Sequence, residues 1–335
     1  MRLDSARELK RLLADSVLAP LNGDGPGGVR SLALAAGPMP TTAAVHPSIA
    51  LGIAHRAGSD FHLAVRCQRR ELEAGKEIAL IIKKAKSEVE VRFIGRVTKR
   101  AAPWTQGRHR PLQIGTSVGH FAVTAGTLGC FVRKADDPAA FILSNNHVLA
   151  TENKSKIGDA IVQPGAYDGG KPPADAVAEL AGLVRLKKAD VNRVDAAIAR
   201  LATGQKFDPR TIKGLGKLAG LGPEFVDEGT EVAKLGRTTG LTHGRVTAFE
   251  LDNVVVRYDL GNVRFDDQIE IEGADTEAFS AGGDSGSLIV DAGTRLAVAL
   301  LFAGGEAGGS NGQGLTFAHP IRNVLAQLKV ELWTA

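Results

Sequence analysis

The chain has 335 residues, 44% of them hydrophobic and 23% charged, which supplies enough apolar material for a sizeable buried core and excludes wholesale disorder. Its formal charge is +4. The basic clusters Lys83–Lys84 with Lys86 and Lys99–Arg100 show neither zinc-finger nor basic-zipper spacing and no interleaved aromatics, so the charge reads as solvated surface and no nucleic-acid partner is expected. Forty glycines against two Trp and two Tyr favour turns and close backbone approaches, hence a β-rich protein over a helical bundle.

Residues 4–18 read as an amphipathic helix that stops before Pro20, followed by a glycine-rich linker at 22–29, so 1–29 forms an N-terminal helix and linker. The opening MRLDSARELKRLLADSVLAPLNG lacks the uninterrupted apolar core of a secretory signal, and later runs such as RLAVALLFAGG are far shorter than the roughly 20 residues that cross a bilayer. A cytoplasmic protein without a membrane partner is expected. Over 30–100, SIALGIAH and FHLAVRCQ are β-like, RELEAGKEIALIIKKAK is mostly helix-like and SEVEVRFIGRV alternates, which predicts a small α+β module. The stretch KRAAPWTQGRHRPLQIGTS has neither period, and a linker is placed at 101–118. From 119 to 335, short β-like runs recur between turn signals in the cadence of antiparallel barrels. The final HPIRNVLAQLKVEL puts Ile321, Val324, Leu325 and Leu328 on one face of a helix packed on a barrel. No internal repeat is visible, and Cys67 and Cys130 are too few for a disulfide framework, which fits a reducing compartment.

Within the last region, SAGGDSGSLIV places Ser285 in a glycine-rich turn ahead of an apolar strand. Alone, such a turn is commonplace. A Ser hydroxyl becomes a nucleophile when an imidazole takes its proton, a carboxylate fixes that imidazole's tautomer and backbone N–H groups face the developing oxyanion. The chain offers His147 in LSNNHVLA and Asp195 in RVDAAIAR ahead of Ser285, in the order His, Asp, Ser. Gly283 and Gly286 flank the Asp–Ser pair, so a sharp turn there presents the N–H groups of Gly283 and Ser285 as an oxyanion hole. Taken singly, His147 reads as a core or surface histidine and Asp195 as a capping carboxylate; their position relative to Ser285 distinguishes them.

These residues resemble the trypsin-like (chymotrypsin-fold) serine proteases, whose Ser lies in a Gly-Asp-Ser-Gly turn. KLGRTTGLTHGRV resembles a hairpin of their α-lytic and streptogrisin branch, where a Cys stands at the place of His243. The absence of that Cys, and of one beside His147, agrees with a cytoplasmic setting. The layout including TAGTLG and GDAIVQPGAYDGG resembles bacterial intracellular members and, more distantly, plant narrow-leaf type proteases. The resemblance implies a mainly β fold, two six-stranded antiparallel barrels with a C-terminal helix, preceded by the small α+β module. It implies a serine endopeptidase working through an acyl-enzyme, with His147 as general base and then acid, Asp195 as its orienter and Ser285 as nucleophile. Phe302, Ala303 and Gly304 fall on the substrate-binding strand and are expected to contact substrate, Phe302 where a Ser normally supports the Asp and Ala303–Gly304 where the main chain pairs with substrate. Phe279 falls at the base of the specificity pocket, where a trypsin would need an acid, so a basic P1 residue is disfavoured unless Asp275 or Glu277 reaches in.

His120, His243 and His319 are assigned structural roles, His319 being the strongest exception. FAGGEAGGSNGQG, 302–314, lacks the ending of a phosphate loop and reads as a pocket rim. Asp159 and Asp168 complete no ligand set, so neither metal nor cofactor is expected. The expected substrate is a protein or peptide, with processing of one dedicated effector or regulator protein weighed beside general proteolysis. The 30–100 module reads equally as a regulatory, oligomerising or partner-reading element and as a stabilising appendage. The alternative from another class is a catalytically silent pseudoprotease that serves as a peptide-binding scaffold.

Overall fold

Alternation in SIALGIAH and FHLAVRCQ becomes a hairpin, Ile49–Ala57 against Asp60–Cys67, with Ile49 opposite Cys67. In the computed structural model the described residues are 1–18, 49–86, 88–95, 103–122, 125–305 and 307–334. They fall into two units, Met1–Arg100 and Ala101–Ala335.

In the first unit, Val89–Phe93 joins the hairpin parallel to Asp60–Cys67. A parallel neighbour requires a crossover. It is supplied by the 3-10 turn Arg70–Ala74 and the helix Lys76–Lys84, separated at Gly75 by one extended residue. The two-residue period puts Leu63, Val65 and Cys67 on one sheet face, where they pack against Ile78 and Ile81 of that helix and Leu13 and Val17 from the N-terminus. The N-terminal helix runs Leu3–Leu13 and continues as a wider turn over Ala14–Leu18. The linker expected at 22–29 and the start of the module at 30–48 lie outside the described residues.

The second unit is mainly β. Its closed barrel has six strands: Leu296–Gly304, Leu288–Asp291, Glu231–Gly236, Gly240–Leu251, Gln268–Gly273 and Leu315–Pro320, the last pairing back onto the first. The other sheet runs in the order Glu331–Leu332, Cys130–Lys134, Asp137–Ser144, Ala197–Leu201, Ala176–Leu183, Ala160–Val162, Ser117–His120, Gly126–Thr127. Among the described residues its two ends do not pair, so the expected pair of closed barrels is corrected to one barrel and a half-barrel. The end strand has another use for its hydrogen bonds: Thr127 N–H donates to Ser285 O at 2.8 Å, and Thr127 Oγ1 donates to Gly283 O at 3.0 Å. The sheet edge is spent on the turn that carries Ser285.

The C-terminal helix, Ile321–Leu328, buries Ile321, Val324 and Leu325 as its period requires. The linker expected over 101–118 is corrected. Thr105 Oγ1 donates to Arg237 O, His109 N–H donates to Gln163 Oε1, and Leu112–Gln113 and Ser117–His120 are strands of the second unit. Aperiodic sequence there marks irregular but anchored backbone, because its polar groups are satisfied from neighbouring segments.

Candidate active site

His147 lies on a single helical turn, Asn146–Leu149, that follows the strand Asp137–Ser144. The first N–H groups of such a turn have no partner within it. Asp195, which precedes the strand Ala197–Leu201, supplies one: its Oδ1 accepts the N–H of Asn146 at 2.7 Å and of His147 at 3.3 Å. Its Oδ2 accepts His147 Nδ1–H at 2.5 Å and the Tyr258 hydroxyl at 2.7 Å. Four donors fill the acceptor sites of this carboxylate, which is 0% exposed. The bond to Nδ1 fixes the tautomer and leaves Nε2 as an acceptor without a hydrogen-bond partner among the described residues, on a ring whose side chain is 23% exposed.

The electrostatics follow from these contacts. Burial by itself disfavours protonated His147, but the charge and hydrogen bond of Asp195, with a smaller contribution from the Glu152 charge, raise its pKa above the ordinary value. For Asp195, burial works toward a higher pKa, and the His147 charge, the His147 bond and the Tyr258 bond outweigh it. Behind the carboxylate, Asp195 N–H donates to His319 Nε2 at 2.8 Å, and His319 Nδ1–H donates to Gln268 Oε1 at 2.6 Å. Burial drives the His319 pKa down to about 3, which keeps this ring a neutral acceptor.

Ser285 sits in a turn with Gly283 at φ +95°, a conformation that favours glycine. Among the described residues no protein group hydrogen-bonds Ser285 Oγ, and the N–H groups of Gly283 and Ser285 have no protein acceptor. Gly126 brings the two halves together, since a Cβ at that position would collide with the Val148 side chain and lie 3.0 Å from Ser285 O. The main chain of Ser285 therefore stands one glycine away from the residue after His147.

The turn is held by Asp284, which is fully buried. Its Oδ1 accepts the N–H groups of Thr238 (2.8 Å) and Thr239 (3.2 Å); its Oδ2 accepts Thr239 Oγ1–H (2.7 Å) and Ala281 N–H (3.0 Å). Lys234 Nζ, also 0% exposed, lies 3.2 Å from Oδ2 and donates to Thr239 Oγ1. Burial lowers the Lys234 pKa, and the Asp284 charge opposes that shift. The motif KLGRTTG thus contributes its Lys and both Thr to the turn.

Beside Ser285 opens a cavity of about 510 Å3 lined by Ala278, Ser280, Ala281, Gly282, Leu301, Ala303, Gly304, Gly305 and Gln313, with no ionisable side chain among the described residues. Ala303 and Gly304 are among its lining residues. Phe279 is not: it is 1% exposed and packs in the barrel core, under Lys234 Nζ at 5.7 Å from the ring centroid. Its neighbours Ala278 and Ser280 line the cavity instead. Phe302 is also corrected from substrate contact to core, stacked on His319 at 3.9 Å between ring centroids. Asp275 and Glu277 do not line this cavity. The rim segment 307–314 is tied down by Glu272, which accepts Ser310 Oγ–H at 2.7 Å and Asn311 N–H at 3.2 Å and pairs with Arg245 at 3.1 Å.

Asp168 spends both oxygens on Arg237, at 2.6 and 2.7 Å, and Asp159 pairs with His120 at 3.2 Å. The sequence reading missed Tyr258 and Asn146. Nothing in RYDL marks a tyrosine whose partner lies 63 residues away, whereas the polar run SNNH before His147 held a signal for Asn146.

The sequence profile of the Nal1 C-terminal domain matches residues 224–314, which contain Lys234, Tyr258 and Ser285 but neither His147 nor Asp195. No curated protein matches the chain. Among solved structures, the Cellulomonas bogoriensis chymotrypsin is 19% identical over 68% of this chain and 100% of its own, with a TM-score of 0.45. The Thermobifida fusca protease A is 18% identical over the same shares, at 0.46, and the Nocardiopsis protease 16%, at 0.45. The chain is similar to the bacterial chymotrypsin-fold serine proteases.

Proposed function

We propose that the second unit is a serine endopeptidase that hydrolyses peptide bonds through an acyl-enzyme. Ser285 Oγ attacks the scissile carbonyl as His147 Nε2 takes its proton; the N–H groups of Gly283 and Ser285 stabilise the oxyanion, and His147 returns the proton to the leaving amine. Water then repeats the sequence on the ester. The observation that carries this reading is the His147 Nδ1–Asp195 Oδ2 bond of 2.5 Å, made by a carboxylate with no exposed surface, on an imidazole whose other nitrogen is free. Cys67 and Cys130, both free and buried, fit a cytoplasmic setting and a protein or peptide substrate met there.

The cavity beside Ser285 refines the substrate. Burying an ammonium, guanidinium or carboxylate against a wall without a counter-charge is strongly disfavoured, and among the described residues the wall here carries apolar groups, hydroxyls and an amide. Cleavage follows uncharged P1 residues, by about tenfold or more over Lys, Arg, Asp and Glu.

A fluorophosphonate probe tests the chemistry and a peptide library the specificity. Covalent labelling at Ser285, with hydrolysis after uncharged residues, is the expected result. An unlabelled chain that still binds peptides would instead mark a pseudoprotease scaffold, and a strong preference for Arg or Lys would overturn the cavity assignment.

A further inference from the structure

The hairpin Val254–Tyr258/Gly261–Phe265 forms a sheet of its own, emerging between the barrel strands that end at Leu251 and begin at Gln268. It is pinned at both ends to the other half of the unit. At its turn, the N–H groups of Asp259 and Leu260 donate to the Glu152 carboxylate at 3.1 and 3.0 Å, five residues after His147. At its base, Asn192 N–H donates to Arg264 O and Asp266 N–H to Asn192 O, both at 3.0 Å, three residues before Asp195. Between the pins stands Tyr258, its ring packed with Val263, Phe265 and Phe302 and set edge-on to the His147 ring at 5.8 Å.

We propose that Tyr258 is a positioning residue for the His147–Asp195 pair, delivered by the hairpin that ties the His147 and Asp195 segments together. Its hydroxyl donates to Asp195 Oδ2, the same oxygen that accepts His147 Nδ1–H. This fixes the carboxylate plane so that Oδ2 faces the imidazole, and it shares part of the carboxylate charge, which limits how strongly that charge holds a proton on His147. The groups facing His147 are Asp195, Tyr258 and, more distantly, Glu152, with His319 neutral behind the carboxylate. Tyr258→Phe changes one of them and preserves the ring. With one donor gone from Oδ2 in a dry site, the carboxylate becomes a stronger acceptor, and His147 stays protonated to higher pH.

The inference rests on the proposed protease function only for its effect on rate. The test therefore pairs an NMR titration of the His147 ring in the full chain, assigned with a His147→Gln control, with the pH dependence of kcat/KM. In Tyr258→Phe the His147 midpoint moves up by about half a pH unit or more, the acid limb of kcat/KM moves with it, and kcat falls about tenfold, the equivalent of about 1.4 kcal/mol, with KM within about twofold of wild type. A midpoint that stays put or moves down overturns the positioning role, whatever happens to the rate. A wild-type chain that neither labels nor hydrolyses overturns the function instead, while the titration still decides the role of Tyr258. Because the chain has only two tyrosines, 3-fluorotyrosine in a Tyr167→Phe background changes this one hydroxyl without altering packing. The more acidic phenol donates more strongly, so the His147 midpoint moves down, the opposite sign; the same sign or no shift overturns the inference even if Tyr258→Phe does not fold.

Discussion

Asp195 and Asp284 are both fully buried carboxylates within a residue or a hydrogen bond of the proposed reacting groups, and their charges are handled in opposite ways. Asp195 accepts two backbone N–H groups, an imidazole and a phenol, so its charge remains available to an imidazolium that forms on His147. Asp284 also accepts neutral donors, but it faces the Lys234 ammonium at 3.2 Å. The difference fits the charge that the proposed reaction develops beside each. A positive charge on His147 gains from a bare carboxylate, whereas an oxyanion in the Ser285 turn is opposed by one: two like charges 4 Å apart repel by roughly 4 kcal/mol at an effective dielectric of 20. In the proposed reaction Lys234 offsets that repulsion, and its Nζ lies over the ring of Phe279, whose neighbours Ala278 and Ser280 wall the cavity.

The largest break in this arrangement is Ser285→Ala, which deletes the covalent step without opening a sizeable cavity. Hydrolysis and fluorophosphonate labelling fall by several orders of magnitude while the thermal unfolding midpoint is retained; wild-type turnover in this variant would end the functional reading. Next is Lys234→Met. Removing one partner of a buried ion pair costs about 3–5 kcal/mol, read as a shift in the guanidinium unfolding curve, and the residual enzyme has a lower kcat because Asp284 confronts the oxyanion uncancelled. Adding Asp284→Asn to that variant recovers part of the stability, and a single variant as stable as wild type would show that Lys234 is not the counter-charge.

The pH profile separates the two carboxylates without mutation. Proton uptake by His147 removes the base, so kcat/KM rises with pH through a midpoint above the ordinary histidine value of about 6.5, in the direction the Asp195 charge dictates. At the alkaline end the Lys234 ammonium, its pKa lowered by burial, is lost below the ordinary lysine value of about 10.4, and activity falls with it. Stopped-flow assays from pH 5 to 10 check both limbs, and a flat profile with chemistry limiting contradicts both assignments. The smallest expected effect is at the cavity rim. Hydrogen bonds from Ser310, the Arg245 pair and the Asn311 N–H together bring the Glu272 pKa to about 2, so the rim stays anchored at any ordinary pH. Glu272→Gln weakens that anchor and raises KM severalfold, with kcat unchanged.

Much of the fold was written locally. Alternation marked the hairpin of the first unit and the helical period of Ile321, Val324 and Leu325 marked the last helix, because these signals act over a few residues; the order His147, Asp195, Ser285 with glycines around the serine pointed to the candidate site. The site's geometry was less legible. Phe279 lies six residues before Ser285, yet its side chain is buried in the core and Ala278 and Ser280 are left on the cavity. Position along the chain was readable there, and facing was not.

By itself the sequence determined which residue types were on hand: a histidine after a strand, an aspartate before one, a serine between glycines, and a lysine opening KLGRTTG. Only the tertiary structure decided which carboxylate each would serve. Lys234 reaches Asp284 across 50 residues of chain, since the barrel sets the strand Glu231–Gly236 beside Leu288–Asp291. Tyr258 reaches Asp195 because a hairpin leaves the barrel and docks on the half-barrel. A buried carboxylate must be satisfied by whatever donors the packed elements bring within about 3 Å, and sheet topology selects those donors in a way that no local pattern encodes.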